Sequence, residues 1–281
     1  MTISSKQLAT FDRRGYLVLK DAIPTSLLRD LRQSYDTIQQ QLLENAQFDG
    51  LVNNVAILHQ GNQNFISRID NLFSFDIPLF VKLLGLPLLQ QAVQALVEGD
   101  AIPIYESLLI KHKGDNQNID WHRDMNHQRD SRIFTVGVYL DDSKSQQGAL
   151  QVIPHSHLSP DSVCEITRRW QQGDLTSAEV TTEAGDIVIH DVMLVHSSPP
   201  INEEARRRTV YFEFRSLEHT QANPLFSASW IQQRQELNRY ACHLWSQSPA
   251  STTDNEFKLQ DLYKQQVRYE SAEYCFEPPL G

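Results

Sequence analysis

From residue 105 the chain reads YESLLIKH (105–112), IFTVGVYL (133–140), GALQVI (148–153), EVTTEAGDIVIHD (179–191), MLVHSS (193–198) and TVYFEFRSL (209–217). Each run is short and rich in β-branched and aromatic residues, and Gly, Asp, Asn or Pro separates it from the next. That texture indicates antiparallel strands of a sandwich or jelly roll, because βαβ units would place a helical period between successive strands. The expected fold class is mainly β with flanking helices.

Outward from this core the period changes. GYLVL (15–19) reads as a short strand, and beyond Asp21-Ala22-Ile23-Pro24 a helix carries Leu27, Leu28, Leu31, Tyr35, Ile38, Leu42 and Leu43 on one face. A second helical region covers 77–97, interrupted by Gly85-Leu86-Pro87 and ended by the stretch from Gly99 to Pro103. Past Leu217 the chain turns polar and helical again, with 230–245 as the expected helix and SPASTTDNE (248–256) as a loop. No internal repeat interrupts this order. We therefore expect one domain, 1–281, with mostly helical support over 1–103, the β-core over 104–217 and a helical and loop extension over 218–281.

The 281 residues are 40% hydrophobic and 21% charged, which fits a folded globular protein with room for a dry site. The formal net charge of −10 argues against nucleic-acid binding, which needs a basic stripe to displace phosphate counterions. The most apolar stretch, 79–89, is broken by Lys82, Gly85 and Pro87 and is too short to span a bilayer. The opening MTISSKQLATFDRRG lacks an apolar run after a basic one, so a cytoplasmic location is expected. Cys164, Cys242 and Cys275 are odd in number and far apart, and are expected to be free thiols. A small-molecule substrate is the expected partner, and self-association stays open.

Two positions carry metal-ligand chemistry. His122 and Asp124 are two residues apart, so in extended backbone both point to one side while Arg123 points away. His196 closes the segment GDIVIHDVMLVH (185–196). Two histidines and one carboxylate on one face, with the remaining positions open, suit a non-heme iron(II) centre that also takes a chelating co-substrate and dioxygen. An H-x-D triplet alone arises by chance, and among ten histidines either imidazole could be an ordinary core or surface residue.

The neighbouring segments narrow the reading. W-H-x-D, a strand closing on Leu140-Asp141-Asp142, G-A-L-x-V-I-P-x-S-H (148–157) and G-D-I-V-x-x-D…H-S-S (185–198) follow in this order. Together with the opening FDRRGYLVLKDAIP (11–24) they resemble the phytanoyl-CoA-hydroxylase-like family of iron(II)- and 2-oxoglutarate-dependent dioxygenases over most of residues 8–216. The resemblance implies a double-stranded β-helix (cupin-like jelly roll) core and iron held by His122, Asp124 and His196. It implies oxidation of an unactivated C–H bond coupled to conversion of 2-oxoglutarate and dioxygen to succinate and carbon dioxide. Hydroxylation is the first expectation, with desaturation, epimerisation and cyclisation open to the same cofactors. Related halogenases have a small residue at the carboxylate position, so Asp124 speaks against halogenation. Two other classes stay in view: a non-catalytic jelly roll that binds a ligand, and a zinc or nickel protein of the cupin-like barrels.

The distal carboxylate of 2-oxoglutarate needs a buried arginine, whose planar fork stays charged when desolvated. The resemblance places that arginine about eleven residues after the distal histidine, at Arg207, with Arg206 and Arg208 as one-residue alternatives that are otherwise solvated charges. Strand alternation would put Arg207, Thr209 and Tyr211 on one face and Arg208, Val210 and Phe212 on the other, with the Thr209 hydroxyl near the carboxylate. On the strand before the metal motif, Leu109 and Lys111 are further candidate co-substrate contacts, although an exposed Lys111 is the default. His155 stands where the family commonly has a turn glycine, and His155, His157 and His190 are read as structural. Polar residues around the expected mouth (Asn116 to Asn118, Met125 to Gln128) and the lack of a sustained basic surface favour a free polar metabolite over an acyl-CoA thioester. The helix over 230–245 is expected to serve as a lid on that substrate or as a cover for the barrel.

Overall fold

The computed structural model describes residues 3–44, 54–75, 78–97, 99–246, 259, 262–264, 267 and 270–275, so the SPASTTDNE segment lies outside the described residues. Helix α1 (Ser5–Arg14) starts on a capping box in which Ser4 Oγ accepts from Gln7 N at 3.3 Å and Gln7 Oε1 accepts from Ser4 N at 2.9 Å. Gly15, at φ 82°, ends it and turns the chain into β1 (Tyr16–Leu19). Helix α2 (Thr25–Glu44) buries Leu27, Leu28, Leu31, Tyr35, Ile38 and Leu42, the stripe its period predicts. A hairpin follows, β2 (Val55–Gln60) and β3 (Gln63–Asp70), turning at Gly61 with φ 59°. This hairpin is an addition to the otherwise mostly helical stretch 1–103. Helices α3 (Pro78–Leu84) and α4 (Pro87–Val97) then divide at the expected Gly85-Leu86-Pro87 break.

The remaining elements are β4 (Ala101–His112), β5 (Ile119–Arg123), β6 (Phe134–Tyr139), β7 (Leu150–Val152), α5 (Val163–Gln171), β8 (Ala178–Val180), β9 (Ile187–Asp191), β10 (His196–Ser198), β11 (Arg206–Ser216), α6 (Leu217–Ala222), α7 (Ala228–Ser246) and β12 (Glu273–Tyr274). They form two antiparallel sheets, ordered β1-β9-β6-β11-β4-β3-β2 and β12-β5-β10-β7-β8. This is the jelly-roll core expected from the strand texture.

Alternation along the seven-stranded sheet separates two environments. Leu108 and Ile110 of β4, Phe134, Val136 and Val138 of β6, Ile187 and Ile189 of β9, and Val210, Phe212 and Phe214 of β11 pack with the apolar faces of α2, α3 and α4. Burying each such side chain contributes about 1.5–3 kcal/mol. The intervening residues of the same strands, among them Ser107, Leu109, Thr135, His190, Arg207, Tyr211 and Glu213, turn to a cavity shared with the five-stranded sheet. Gly137 on β6 makes room there, since a Cβ would sit 2.9 Å from the Tyr211 ring.

Helix α7 packs on α3 and β4. Leu237 and Ala241 join the main core, and Trp230 and Ile231 form a smaller one with Ile102, Ile104 and Phe226. The backbones of α3 and α7 approach so closely at Gly85 that a Cβ would stand 2.0 Å from Ala241 O. No α7 residue lines the cavity, so the helix is a cover and the lid reading of 230–245 is corrected. No single helix among the described residues is long and apolar enough to cross a membrane.

The expectation of three free cysteines also fails. Cys164 of α5 and Cys275 form a disulfide across 111 residues, leaving Cys242 free and exposed. The pairing depends on α5 packing beside β12, a tertiary contact with no trace in cysteine spacing.

Candidate metal centre

Strands β5 and β10 pair antiparallel with His122 directly opposite His196, which brings together two residues far apart in sequence. Their ring centroids lie 4.1 Å apart. Asp124 follows β5 and is fixed by its amide, which donates to Val192 O at 2.9 Å. The three side chains each offer a ligand atom, and these atoms lie within 4.8 Å of one another. Asp124 Oδ1 is 3.5 Å from the Nε2 of both histidines.

The surroundings decide which atoms remain available. His122 Nδ1 lies 2.8 Å from Asp120 O, and His196 Nδ1 lies 2.8 Å from Leu194 O. A carbonyl only accepts, so each ring donates from Nδ1 and turns an unprotonated Nε2 toward the shared point. Asp124 Oδ2 accepts from Thr135 Oγ1 at 2.9 Å and lies 3.0 Å from His190 Nε2, which leaves Oδ1 facing the histidines. Burial and the neighbouring His122 pull the His196 imidazole down to about 3, so it is neutral at ordinary pH, as a ligand must be. Burial opposes ionisation of Asp124, but His196, His122 and His190 hold its carboxyl well below the usual carboxylate range. The donor set fits a divalent transition metal, with His190 and Thr135 orienting the carboxylate from behind. His190 was expected to be structural, and its contact gives that role a definite form.

The triad stands in a cavity of ≈ 520 Å³ between the sheets. A larger groove of ≈ 820 Å³, which holds His157, contains none of the three. His155 sits at φ 69°, in the left-handed conformation expected of a residue at the glycine turn position.

Arg207 is buried, and its Nη1 donates to Gly148 O and, at 3.0 Å, to Ser198 Oγ. Among the described residues its Nε has no partner, and neither does the fully buried Thr209 Oγ1 two residues along the strand. Unpaired buried donors are costly, so two of them on the Arg207–Thr209 side of β11 fit a carboxylate that would complete them. Leu109, opposite Thr209 in the ladder, supplies apolar wall. The expected division of β11 holds, with Arg207 and Tyr211 lining the cavity and Val210 and Phe212 in the core.

Two expectations about neighbouring cations are corrected. Lys111 is fully buried opposite Arg207, and its Nζ donates to Ser198 O at 2.7 Å, Ser198 Oγ at 2.9 Å and Pro199 O at 2.8 Å. Burial and the Arg207 charge pull its amine down to about 6. Arg208 is likewise buried, forked onto Asp141 through Nε (2.7 Å) and Nη2 (2.8 Å), with Asp36 beyond. Only Arg206 behaves as a surface charge, paired with Asp36 at 3.2 Å.

The C-terminal segment contributes what sequence reasoning missed. Glu270, Ala272 and Tyr274 line the cavity, and β12 pairs with β5 so that Tyr274 stacks on His122 with centroids 4.8 Å apart and planes at 11°. Glu273 accepts from Val163 N at 2.9 Å and from Arg123 Nη1 at 3.4 Å. A two-residue strand has no periodicity to betray it.

Comparison with known proteins agrees with this architecture. A probable alpha-ketoglutarate-dependent hypophosphite dioxygenase of Stutzerimonas stutzeri is 26% identical over 126 residues, which are 39% of this chain and 44% of that protein. EvdMO1 superposes with a TM-score of 0.67 at 24% identity, over 75% of this chain and 50% of that one. AviO1 from Streptomyces viridochromogenes Tue57 gives 0.64 at 23% identity, over 77% and 96%. The chain thus spans about half the length of the first two relatives, and the structural likeness speaks for the fold. Residues 11–209, most of the described β-core and its helical support, match the phytanoyl-CoA dioxygenase (PhyH) family, and the chain belongs to that family.

Proposed function

We propose that this chain is an iron(II)- and 2-oxoglutarate-dependent oxygenase that hydroxylates an unactivated C–H bond of a free polar small molecule, with release of succinate and carbon dioxide. One observation carries the reading: a two-histidine, one-carboxylate set with its Nε2 and Oδ1 atoms free stands in the same cavity as Arg207, whose buried Nε is unpaired. Iron(II) bound there supplies the activation of dioxygen and the oxidative decarboxylation of the keto acid. His122, Asp124 and His196 hold the metal. Arg207 and Thr209 hold the distal carboxylate, and Leu109 keeps that end dry. Lys111 sets the backbone at Ser198 and Pro199 beneath Arg207 and so acts on the co-substrate indirectly. Asp124 in the carboxylate position supports hydroxylation over halogenation. The Stutzerimonas stutzeri relative is named for hypophosphite, a small anion, but the one arginine lining the cavity besides Arg207 is Arg68, already committed to Asp70 and Tyr105. That arrangement supports an organic substrate.

The test is anaerobic titration with iron(II) and 2-oxoglutarate, then admission of air and quantification of succinate. One metal per chain and succinate formation are expected, both lost in His122→Ala and His196→Ala because two ligands bind weakly. Full turnover in either variant would refute the site. Binding of both components without succinate would make the chain a ligand-binding jelly roll.

A further inference from the structure

The end of the cavity away from Arg207 has a charge balance of its own. Along β11 the cavity-lining residues run from Arg207 through Tyr211 to Glu213, a span of roughly 20 Å at the rise of a strand. Glu213 stands opposite Thr135 in the ladder, and Thr135 is the residue that donates to Asp124. The acid is therefore next to the metal centre.

The cations of this wall are already engaged. Arg215 is buried, and it donates from Nε to Glu213 Oε1 at 2.7 Å and from Nη1 and Nη2 to the two Glu270 oxygens at 2.8 Å each. Arg68 donates to Asp70 and to the Tyr105 hydroxyl, with its guanidinium 5.6 Å from the centre of the Tyr105 ring. Two arginines face three carboxylates, Asp70, Glu213 and Glu270, one acid more than the cations, and burial raises the Glu213 carboxyl above its ordinary value against the pull of Arg215. Glu213 Oε2 accepts no hydrogen bond among the described residues, and the side chain reaches the cavity. Ser67, Ser107 and Gln117 add further polar groups to the lining, beside the apolar Ala56 and Ile119.

We infer that Glu213 is the residue that selects the substrate, and that the substrate is a molecule rich in hydroxyl or ammonium donors and free of anionic groups. The inference rests on the oxygenase reading for the position of the reacting centre. A donor group of the substrate completes Glu213 Oε2. A carboxylate or phosphate in its place would meet Glu213 and Glu270, and among the described residues the cations of that wall, Arg68 and Arg215, are already paired. The cavity thus has an anion-accepting pole at Arg207, for the co-substrate, and an acidic pole at Glu213, for the substrate. This polarity keeps the two ligands from exchanging places.

A matched six-carbon series tests the assignment. Glucitol (neutral), 1-amino-1-deoxyglucitol (ammonium), gluconate and glucose 6-phosphate (anionic) are compared as ligands of the wild-type chain loaded with zinc(II) and 2-oxoglutarate, by saturation-transfer NMR. Binding of the neutral and ammonium probes, and not of the anionic pair, is expected. Glu213→Gln should weaken the ammonium probe about ten- to hundredfold, the effect of a lost charge-assisted bond, and glucitol less. The larger loss identifies ammonium as the preferred donor, and equal losses identify hydroxyl. Anionic probes binding as well as the others, or neither donor-rich probe binding, would overturn the inference. So would unchanged binding in Glu213→Gln, and if that variant fails to fold the wild-type ranking decides. Failure of the oxygenase reading shows itself separately, as loss of 2-oxoglutarate binding in the same sample.

Discussion

Replacing Cys275 by serine removes the disulfide cross-link between α5 and the segment that lays Tyr274 on His122. Closing a loop across 111 residues stabilises the folded chain by about 5 kcal/mol in the chain-entropy treatment, and native disulfides commonly contribute about 2–5 kcal/mol. Local detachment is easier than global unfolding, because the segment crosses the sheet edge at one point. Fixing the five residues from 271 to 275 costs about 5–10 kcal/mol of backbone entropy. Against it stand the pairing of β12 with β5, the Glu273 bonds to Val163 N, Arg123 and Asn126 and the Tyr274 stack, together about 4–9 kcal/mol. Without the disulfide the two sides nearly cancel, and the segment opens for a large share of the time. Amide exchange resolved at Glu273 and Tyr274 should therefore accelerate strongly in Cys275→Ser while the amides of β6 and β11 stay protected. The melting temperature should fall by about 5–15 °C. A thiol reductant should reproduce both effects in the wild type, so the bond matters most in an oxidising environment. Unchanged exchange at Glu273 and Tyr274 in the variant would refute the claim that the disulfide holds this wall.

Arg207→Ala should weaken 2-oxoglutarate binding by about 2–5 kcal/mol, about thirtyfold to several-thousandfold, measured by calorimetry with the metal present. Arg208→Ala should leave that affinity near wild type and instead lower stability by about 1–3 kcal/mol in denaturant titration, because it removes the fork on Asp141 and leaves that carboxylate with Arg32, at 3.4 Å, as its cation. Glu270 provides a pH signature: burial opposes its ionisation, but Arg215 holds it from the ordinary 4.5 down to about 2. A carboxyl depressed in the folded state stabilises above its unfolded pKa, and that stability is lost as pH falls through the folded value. Thermal stability should therefore decline between pH 4.5 and 2 more steeply in the wild type than in Glu270→Gln. Equal slopes would remove Glu270 from the account.

The legible parts of this protein were those whose cause is local. Strand alternation separated Arg207, Thr209 and Tyr211 from Arg208, Val210 and Phe212, and burial follows that division because one face of β11 meets helices and the other the cavity. The triad was readable because residues two apart share a face and His196 ends a strand. Lys111 and Arg208 were misjudged since a cation reads as solvated unless its partners are known, and Ser198, Pro199 and Asp141 become partners only in the folded chain. The β2–β3 hairpin was overlooked although Gly61-Asn62 between two strand-like runs is a two-residue turn signal. The contribution of 270–275 had no local signal, because the pairing with β5 and the disulfide to α5 both join distant segments.

The two carbonyl tethers behind His122 and His196 carry a thermodynamic consequence. A histidine free to rotate must give up rotamer and ring-flip freedom when it takes a ligand, and that loss is subtracted from affinity. Here both rings are already turned and both tautomers already chosen by backbone that belongs to the sheet. Ion capture is therefore decoupled from folding, unlike in small metal-nucleated domains whose ligands assemble only around the ion. One ion could leave and another enter while the barrel stays intact, and which metal resides there is then set by supply and by oxidation state more than by the fold.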